Sequence, residues 1–218
     1  MPIALSLKVA CASTLLAILI GAPVAWALAK LRFPGKPLVE GITLLPLVLP
    51  PTVLGYYLLV TLAPMSGVGR LWHRLTGSDL ALTFNFSGIV VAACIASIAQ
   101  FLRQAQVAFA EVSREIEDSA RIMGASEWQV FLFMTAPLAK RGLVAGMALT
   151  FARSLGDFGA TLMVGANIPG VTRTLSLRVY DAWQAGEDAT ARGIALLLSG
   201  IAIFVAVAAS QLSKTPHE

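Results

Sequence analysis

Charge is scarce in this chain. Of 218 residues 13% are Asp, Glu, Lys or Arg and 57% are apolar, whereas a soluble domain is about a quarter charged. Such a chain lacks the polar residues to cover a water-facing surface. Histidine is reduced to His73 and His217, and cysteine to Cys11 and Cys94. A lone loop histidine is a solvated side chain rather than a metal ligand, and both cysteines fall in apolar runs, where they read as small buried residues. No G-x4-G-K-[ST] phosphate loop is present: the one Gly-Lys pair, Gly35-Lys36, is followed by Pro37 and lacks the earlier glycine. Nor is there an HExxH, a Ser/Lys arrangement or a histidine cluster. The sequence therefore predicts neither an enzyme nor a nucleotide-binding subunit, with no metal site and no cofactor.

What is abundant is long uncharged sequence. Residues 9–29, 41–69, 80–102 and 193–213 carry no charge, and 142–172 carries only Arg153 and Asp157. Each run exceeds the ~20 residues a helix needs to cross hydrocarbon, and runs of this length satisfy their backbone amides as helices rather than barrel strands. The expectation is an all-α integral membrane protein with five transmembrane helices, near 6–29, 41–64, 84–109, 142–165 and 193–213, in one domain over 5–212. The first run is longer than the 7–15-residue core of a signal peptide and only Lys8 precedes it, so it reads as a span. Lys30, Arg32, Lys36, Arg114, Arg121, Lys140, Arg141 and Lys214 occupy one set of loops; Arg70, Arg74, Arg173, Arg178 and Arg192 occupy the other. Positive charge inside then predicts a multi-pass protein of the cytoplasmic membrane with its amino terminus outside and its carboxyl terminus cytoplasmic. A net charge of +4 is met by anionic lipid and requires no nucleic acid.

Three stretches depart from a plain span. "LLPLVLPPTVLG" carries Pro46, Pro50 and Pro51; interior prolines remove helix hydrogen bonds, and the alternatives are a broken helix lining a pathway or a packing kink. "FARSLGDFGAT" places Arg153 and Asp157 at i, i+4, either a polar patch along a solute path or an intrahelical pair. In the same apolar run as that second stretch, Gly142, Gly146, Gly156 and Gly159 form a small-residue series suited to close helix approach in lipid.

The third stretch, 113–137, is a polar hairpin between spans 3 and 4. Ser113 is placed to cap a short helix with Ile116, Ala120 and Met123 as its apolar stripe and Glu117–Arg121 as an i, i+4 pair. Gly124 suits a left-handed helix end. Ser126 and Gln129 form a capping box for a second, apolar helix containing Trp128, Phe131 and Leu132 and ending at Pro137. A DNA-reading helix-turn-helix has this outline, but its second helix would need polar residues where this one reads "EWQVFLFM".

Glu117, Ala120, Gly124 and Pro137 resemble the EAA loop of type I ABC importer permeases, roughly E-A-A-x3-G-x9-I-x-L-P, with Asp118 and Ser119 in place of the central small residues, Met134 for Ile and Ala136 for Leu. "LRFPGKPLVEGITLLPLVLPPTVLGYYLL", "FARSLGDFGATLMVGANIPG" and "TRTLSLRVY" are similar to the permeases of molybdate ABC transporters (ModB family), and less closely to the sulfate permeases. The resemblance implies a MetI-like type I importer fold whose 113–137 segment is a cytoplasmic coupling helix, with Glu117, Asp118, Ala120, Arg121, Gly124 and Ala125 facing an ATPase subunit. It further implies a homodimer, two copies of that ATPase, and a periplasmic or extracellular oxyanion-binding protein. Pro50, Pro51, Arg153 and Asp157 would then belong to the translocation path. The competing classes are an autonomous channel or ion-coupled carrier, which would show paired broken helices and several intramembrane acids, and a membrane enzyme, for which no residue set is present.

Overall fold

The computed structural model of the chain describes residues 2–213; Lys214 and His217, both used above, lie outside them. The described residues contain helices and no strand. In chain order these are α1 (Pro2–Lys30), α2 (Lys36–Val48), α3 (Pro51–Leu62), α4 (Gly67–Thr76), α5 (Phe86–Ala110), α6 (Arg114–Ile122), α7 (Glu127–Val130), a π-turn (Phe131–Thr135), α8 (Ala136–Leu155), α9 (Gly159–Gly165), α10 (Leu175–Gln184) and α11 (Asp188–Ser213). Among the described residues, five helical stretches are long and apolar enough to cross a membrane: Pro2–Lys30, Pro51–Thr76, Phe86–Ala110, Glu127–Leu155 and Asp188–Gln211.

α5 is the axis of the bundle. Its Phe101, Leu102, Ala105, Ala108 and Phe109 pack with Ala25 of α1 and Ala139 of α8, and its Ala92 and Ala96 with Leu54 of α3 and Ala160 and Val164 of α9. Its Ile89, Val90 and Ala93 meet Val9 of α1. Small residues along a helix let several neighbours approach it in lipid, where packing drives association. Accordingly 61% of the most apolar window of α5 is buried inside the chain, against 6% for α11, which offers its apolar side chains outward.

Three expected boundaries change. The span placed at 41–64 is divided: α2 stops at Val48, Leu49 and Pro50 are extended, and α3 restarts with Pro51 at its first turn. The reason is steric, since the residue before a proline is pushed out of helical geometry while proline suits a first helical position. The span placed at 142–165 is also divided, α8 ending at Leu155 and α9 beginning at Gly159. Conversely, Pro137 does not end a helix. α7, the π-turn and α8 run on without a break, because the widened turn ahead of Pro137, with the Ala136 N–H on the Phe131 carbonyl, makes room for a ring that an α-turn would clash with. The loop between the spans placed at 41–64 and 84–109 contains α4, capped by Ser66, and in it His73 meets Asp79 at 3.1 Å. Cys94 is buried but Cys11 is exposed on α1.

Candidate functional site

The hairpin is built from local signals. The Ser113 hydroxyl accepts from the Glu115 N–H at 3.2 Å to start α6. At its far end the Ala125 N–H reaches back to the Ala120 carbonyl (3.1 Å) and the Gly124 N–H to that of Arg121 (2.9 Å), a Schellman closure. That closure holds Gly124 at φ +90°, with open space where a side chain would stand. Glycine is required here for its conformation and not for room. Ser126 and Gln129 then bond reciprocally, Ser126 N–H to Gln129 Oε1 at 2.8 Å, and launch α7.

Charge is distributed differently from the i, i+4 expectation. Arg121 does not pair with Glu117. It grips Glu127 with two bonds, Nε–Oε1 at 2.7 Å and Nη2–Oε2 at 3.0 Å, and reaches Asp118 at 2.6 Å. The two arms of the hairpin are thus tied across the corner, and these bonds, those to Glu127 foremost, raise the Arg121 pKa further above its ordinary value. Glu117 turns the other way. It is 3% exposed, pairs with Lys30 at 3.0 Å and accepts the Thr135 hydroxyl at 2.7 Å. Lys30 also donates to the Val112 carbonyl at 2.8 Å, and Arg114 donates to the Lys30 carbonyl at 3.0 Å.

The buried face of α6 is therefore Glu117 with Ala120, while Ile116, Ile122 and Met123 are exposed; the expected Ile116–Ala120–Met123 stripe is not the packed face, because the Lys30 ammonium draws Glu117 inward. This also corrects the register of the motif. Counted back from Gly124, the first position of E-A-A-x3-G is Asp118, followed by Ser119 and Ala120. Asp118 faces outward with Arg121, while Glu117 is an internal tie between α1, α6 and the π-turn. Around the corner, Ala120, Met123, Gly124, Ala125, Val130 and Phe133 line a notch of about 410 Å³. Beneath the second arm Phe131 meets Trp26, Phe109 and Trp128.

The two broken helices meet elsewhere. A Cβ on Gly159 would lie 2.8 Å from Pro51 Cβ, and one on Gly55 of α3 would lie 2.8 Å from Met163 Cβ, so α3 and α9 touch through their glycines. Asp157 is buried in the gap before α9, accepting the Thr161 N–H at 2.9 Å, and its carbonyl accepts the Ser176 hydroxyl at 2.6 Å. Arg153 lies 3.6 Å from the Asp157 carboxylate with about a third of its side chain exposed. Asp157 thus caps a half-helix, while the cation beside it retains free surface. Of the glycine series, Gly142 and Gly146 pack on Ala108 and Gln104 of α5 and Gly159 on α3, whereas Gly156 has, among the described residues, nothing beyond its own turn within reach; it sits at the helix end. The structure brings together Pro51, Gly159 and Asp157 in one region and Glu117 to Ala125 in another. α7, the π-turn and α8 form one rod joining them, about 40 Å from Glu127 to Arg153 at 1.5 Å per residue. Lys30, Thr135, Gly55 and Ser176 were not anticipated. Lys30 was legible only as a loop cation, and nothing in sequence spacing ties it to a residue 87 positions on.

Residues 17–214 match the family described as the binding-protein-dependent transport system inner membrane component. The chain belongs to that family. The permease is 38% identical over 214 residues to the molybdenum transport system permease protein ModB of Escherichia coli (strain K12), covering 96% of this chain and 93% of that one. It is 35% identical over 179 residues to the sulfate transport system permease protein CysT of the same strain, covering 82% of this chain and 63% of that one. Among solved structures it resembles the inward-facing MetNI methionine ABC transporter, with a TM-score of 0.72 at 18% identity over 97% of this chain and 93% of the other. At that identity the likeness concerns the fold: the permease has the all-helical importer architecture.

Proposed function

We propose that this permease carries molybdate across the cytoplasmic membrane, driven by a separate ATP-hydrolysing subunit that docks on the 113–137 hairpin. The observation that carries the cargo assignment is the 38% identity to a molybdenum permease along nearly the whole of both chains. Docking is supported by the hairpin's form, a corner with exposed Ile122, Met123 and Phe133 around a shallow notch, on a rod continuous with α8, which carries Arg153 near its far end and stops at Leu155, two residues before Asp157. Closure of the ATPase would tilt that rod and, through Lys30–Glu117, α1 with it. The working unit is a homodimer with two ATPase copies, fed by an extracytoplasmic oxyanion-binding protein. The amino terminus lies outside and the carboxyl terminus in the cytoplasm, which sets the Lys30 end of α1 and the hairpin on the cytoplasmic side.

The identity to a sulfate permease favours one second cargo of the same tetrahedral dianion class. Co-purification with the ATPase followed by binding-protein-dependent uptake of molybdate, tungstate and sulfate in vesicles tests both. ATP-dependent molybdate uptake is expected; uptake of sulfate alone would reassign the cargo, and uptake without the ATPase would overturn the importer mechanism.

A further inference from the structure

α5 is the most enclosed of the five candidate spans, yet one side of its hairpin-proximal half is open and polar. Arg103, Gln104, Val107, Ala110 and Glu111 are exposed and Gln100 is half-buried. At 3.6 residues per turn, Gln100, Arg103, Gln104, Val107 and Glu111 lie within an arc of about 100°, a single stripe. Arg103 sits inside the Phe86–Ala110 span, seven residues and so about 10 Å from its end. Its guanidinium makes no ion pair or hydrogen bond among the described residues. A charged residue at such a position faces a partner or a water-filled cavity. The side of this chain that faces outward on α11 is of another kind: Leu196, Ile203, Phe204 and Val207 are exposed there, an apolar surface suited to acyl chains. The α5 stripe opens toward the hairpin into a groove of about 680 Å³ between α5 and α8, where Gln104, Glu111, Ser113 and Arg141 supply polar lining.

We propose that Arg103, flanked by Gln100 and Gln104, lines the aqueous passage of this permease and is a contact point for the dianion in transit. The inference rests on the oxyanion-importer reading above. A guanidinium offers five donors in a planar fork that can engage two oxygens of a tetrahedral anion, and two carboxamides add donors without adding charge. An open stripe in place of a closed pocket gives contacts weak enough to release the ion, as conduction requires. Arg153, near the far end of α8, stands at another depth, so an anion crossing the bundle meets two cations in succession.

The test uses the permease reconstituted with its ATPase and binding protein in vesicles. In a background lacking Cys11 and Cys94, Gln104→Cys is expected to react with a charged, membrane-impermeant thiosulfonate, and molybdate to slow that reaction. Arg103→Gln is expected to lower molybdate uptake at least tenfold with ATPase co-purification unchanged, and Arg103→Lys to retain part of it. An unreactive thiol in the Gln104→Cys variant overturns the proposal, since lipid or the second protomer then covers the stripe. So does unchanged uptake by Arg103→Gln over a range of molybdate concentrations, or loss of the assembled complex, which would make Arg103 a subunit contact. If the unsubstituted transporter takes up none of molybdate, tungstate and sulfate, the cargo assignment fails. Thiol labelling of the Gln104→Cys variant still reports whether the stripe faces water.

Discussion

Lys30→Met is the sharpest perturbation of the hairpin. Among the described residues it leaves the Glu117 carboxylate, whose side chain is 4% exposed, with only the Thr135 hydroxyl as partner. Removing one member of a buried ion pair costs roughly 3–5 kcal/mol, because the remaining charge is neither hydrated nor compensated. The Lys30 bond to the Val112 carbonyl is lost as well, at about 1 kcal/mol. At a factor of ten per ~1.4 kcal/mol, opening of α6 from α1 becomes more frequent by two orders of magnitude or more. Hydrogen exchange of the α6 amides in the detergent-solubilised transporter reads this directly, and the fluorescence of Trp26 and Trp128, both packed on Phe131, reports loosening of the same corner. Glu117→Gln alone strands the ammonium in turn. The double variant Lys30→Met with Glu117→Gln removes both charges and is expected to recover at least half of the loss. If the two single effects instead add to within ~0.5 kcal/mol, Lys30 and Glu117 act independently and the tie between α1 and α6 is refuted.

The other predictions concern the corner and the broken helices. Gly124→Leu places a side chain at φ +90°, at a local cost of about 1–2 kcal/mol; the protein is expected to insert normally yet lose solute-dependent ATP hydrolysis, and normal coupled hydrolysis would remove the hairpin from the docking role. Gly159→Val must push α3 from α9, since even its Cβ would sit 2.8 Å from Pro51, and a destabilisation of about 1–3 kcal/mol is expected in thermal inactivation. Gly156→Ala, whose nearest neighbour would be 3.6 Å away, should leave that midpoint within about a degree or two, corresponding to less than 0.5 kcal/mol. Arg153→Gln is expected to reduce oxyanion uptake more than ATPase assembly; unchanged uptake kinetics would leave the Arg153–Asp157 pair a structural one.

Much of the hairpin was legible because its signals are local. A capping hydroxyl, a glycine wanted at positive φ and a capping box act within four residues, and all three stand where the sequence places them. The Pro50–Pro51 break was one of two alternatives for the same reason, proline sterics acting on the residue beside it. What escaped was partnership. Arg121 had two acids within reach along the helix and a third across the turn, and spacing alone could not choose among them. The continuation through Pro137 depended on a widened turn, which the sequence does not announce.

Hydropathy run length and capping chemistry are properties of contiguous residues, so they were enough to make this a five-span helical membrane protein with a polar hairpin between spans 3 and 4. Residues held in order along the whole chain likewise carried the family. The facing of Glu117 toward Lys30, and of Asp118 toward the outside, came only with the packed helices. So did the contact of Gly159 with Pro51 and the open stripe that holds Arg103 on the central helix. Those outcomes depend on which helices lie side by side, and burial makes the choice: an ionisable group inside the bundle must find a partner, and the partner comes from whatever element the packing brings within reach.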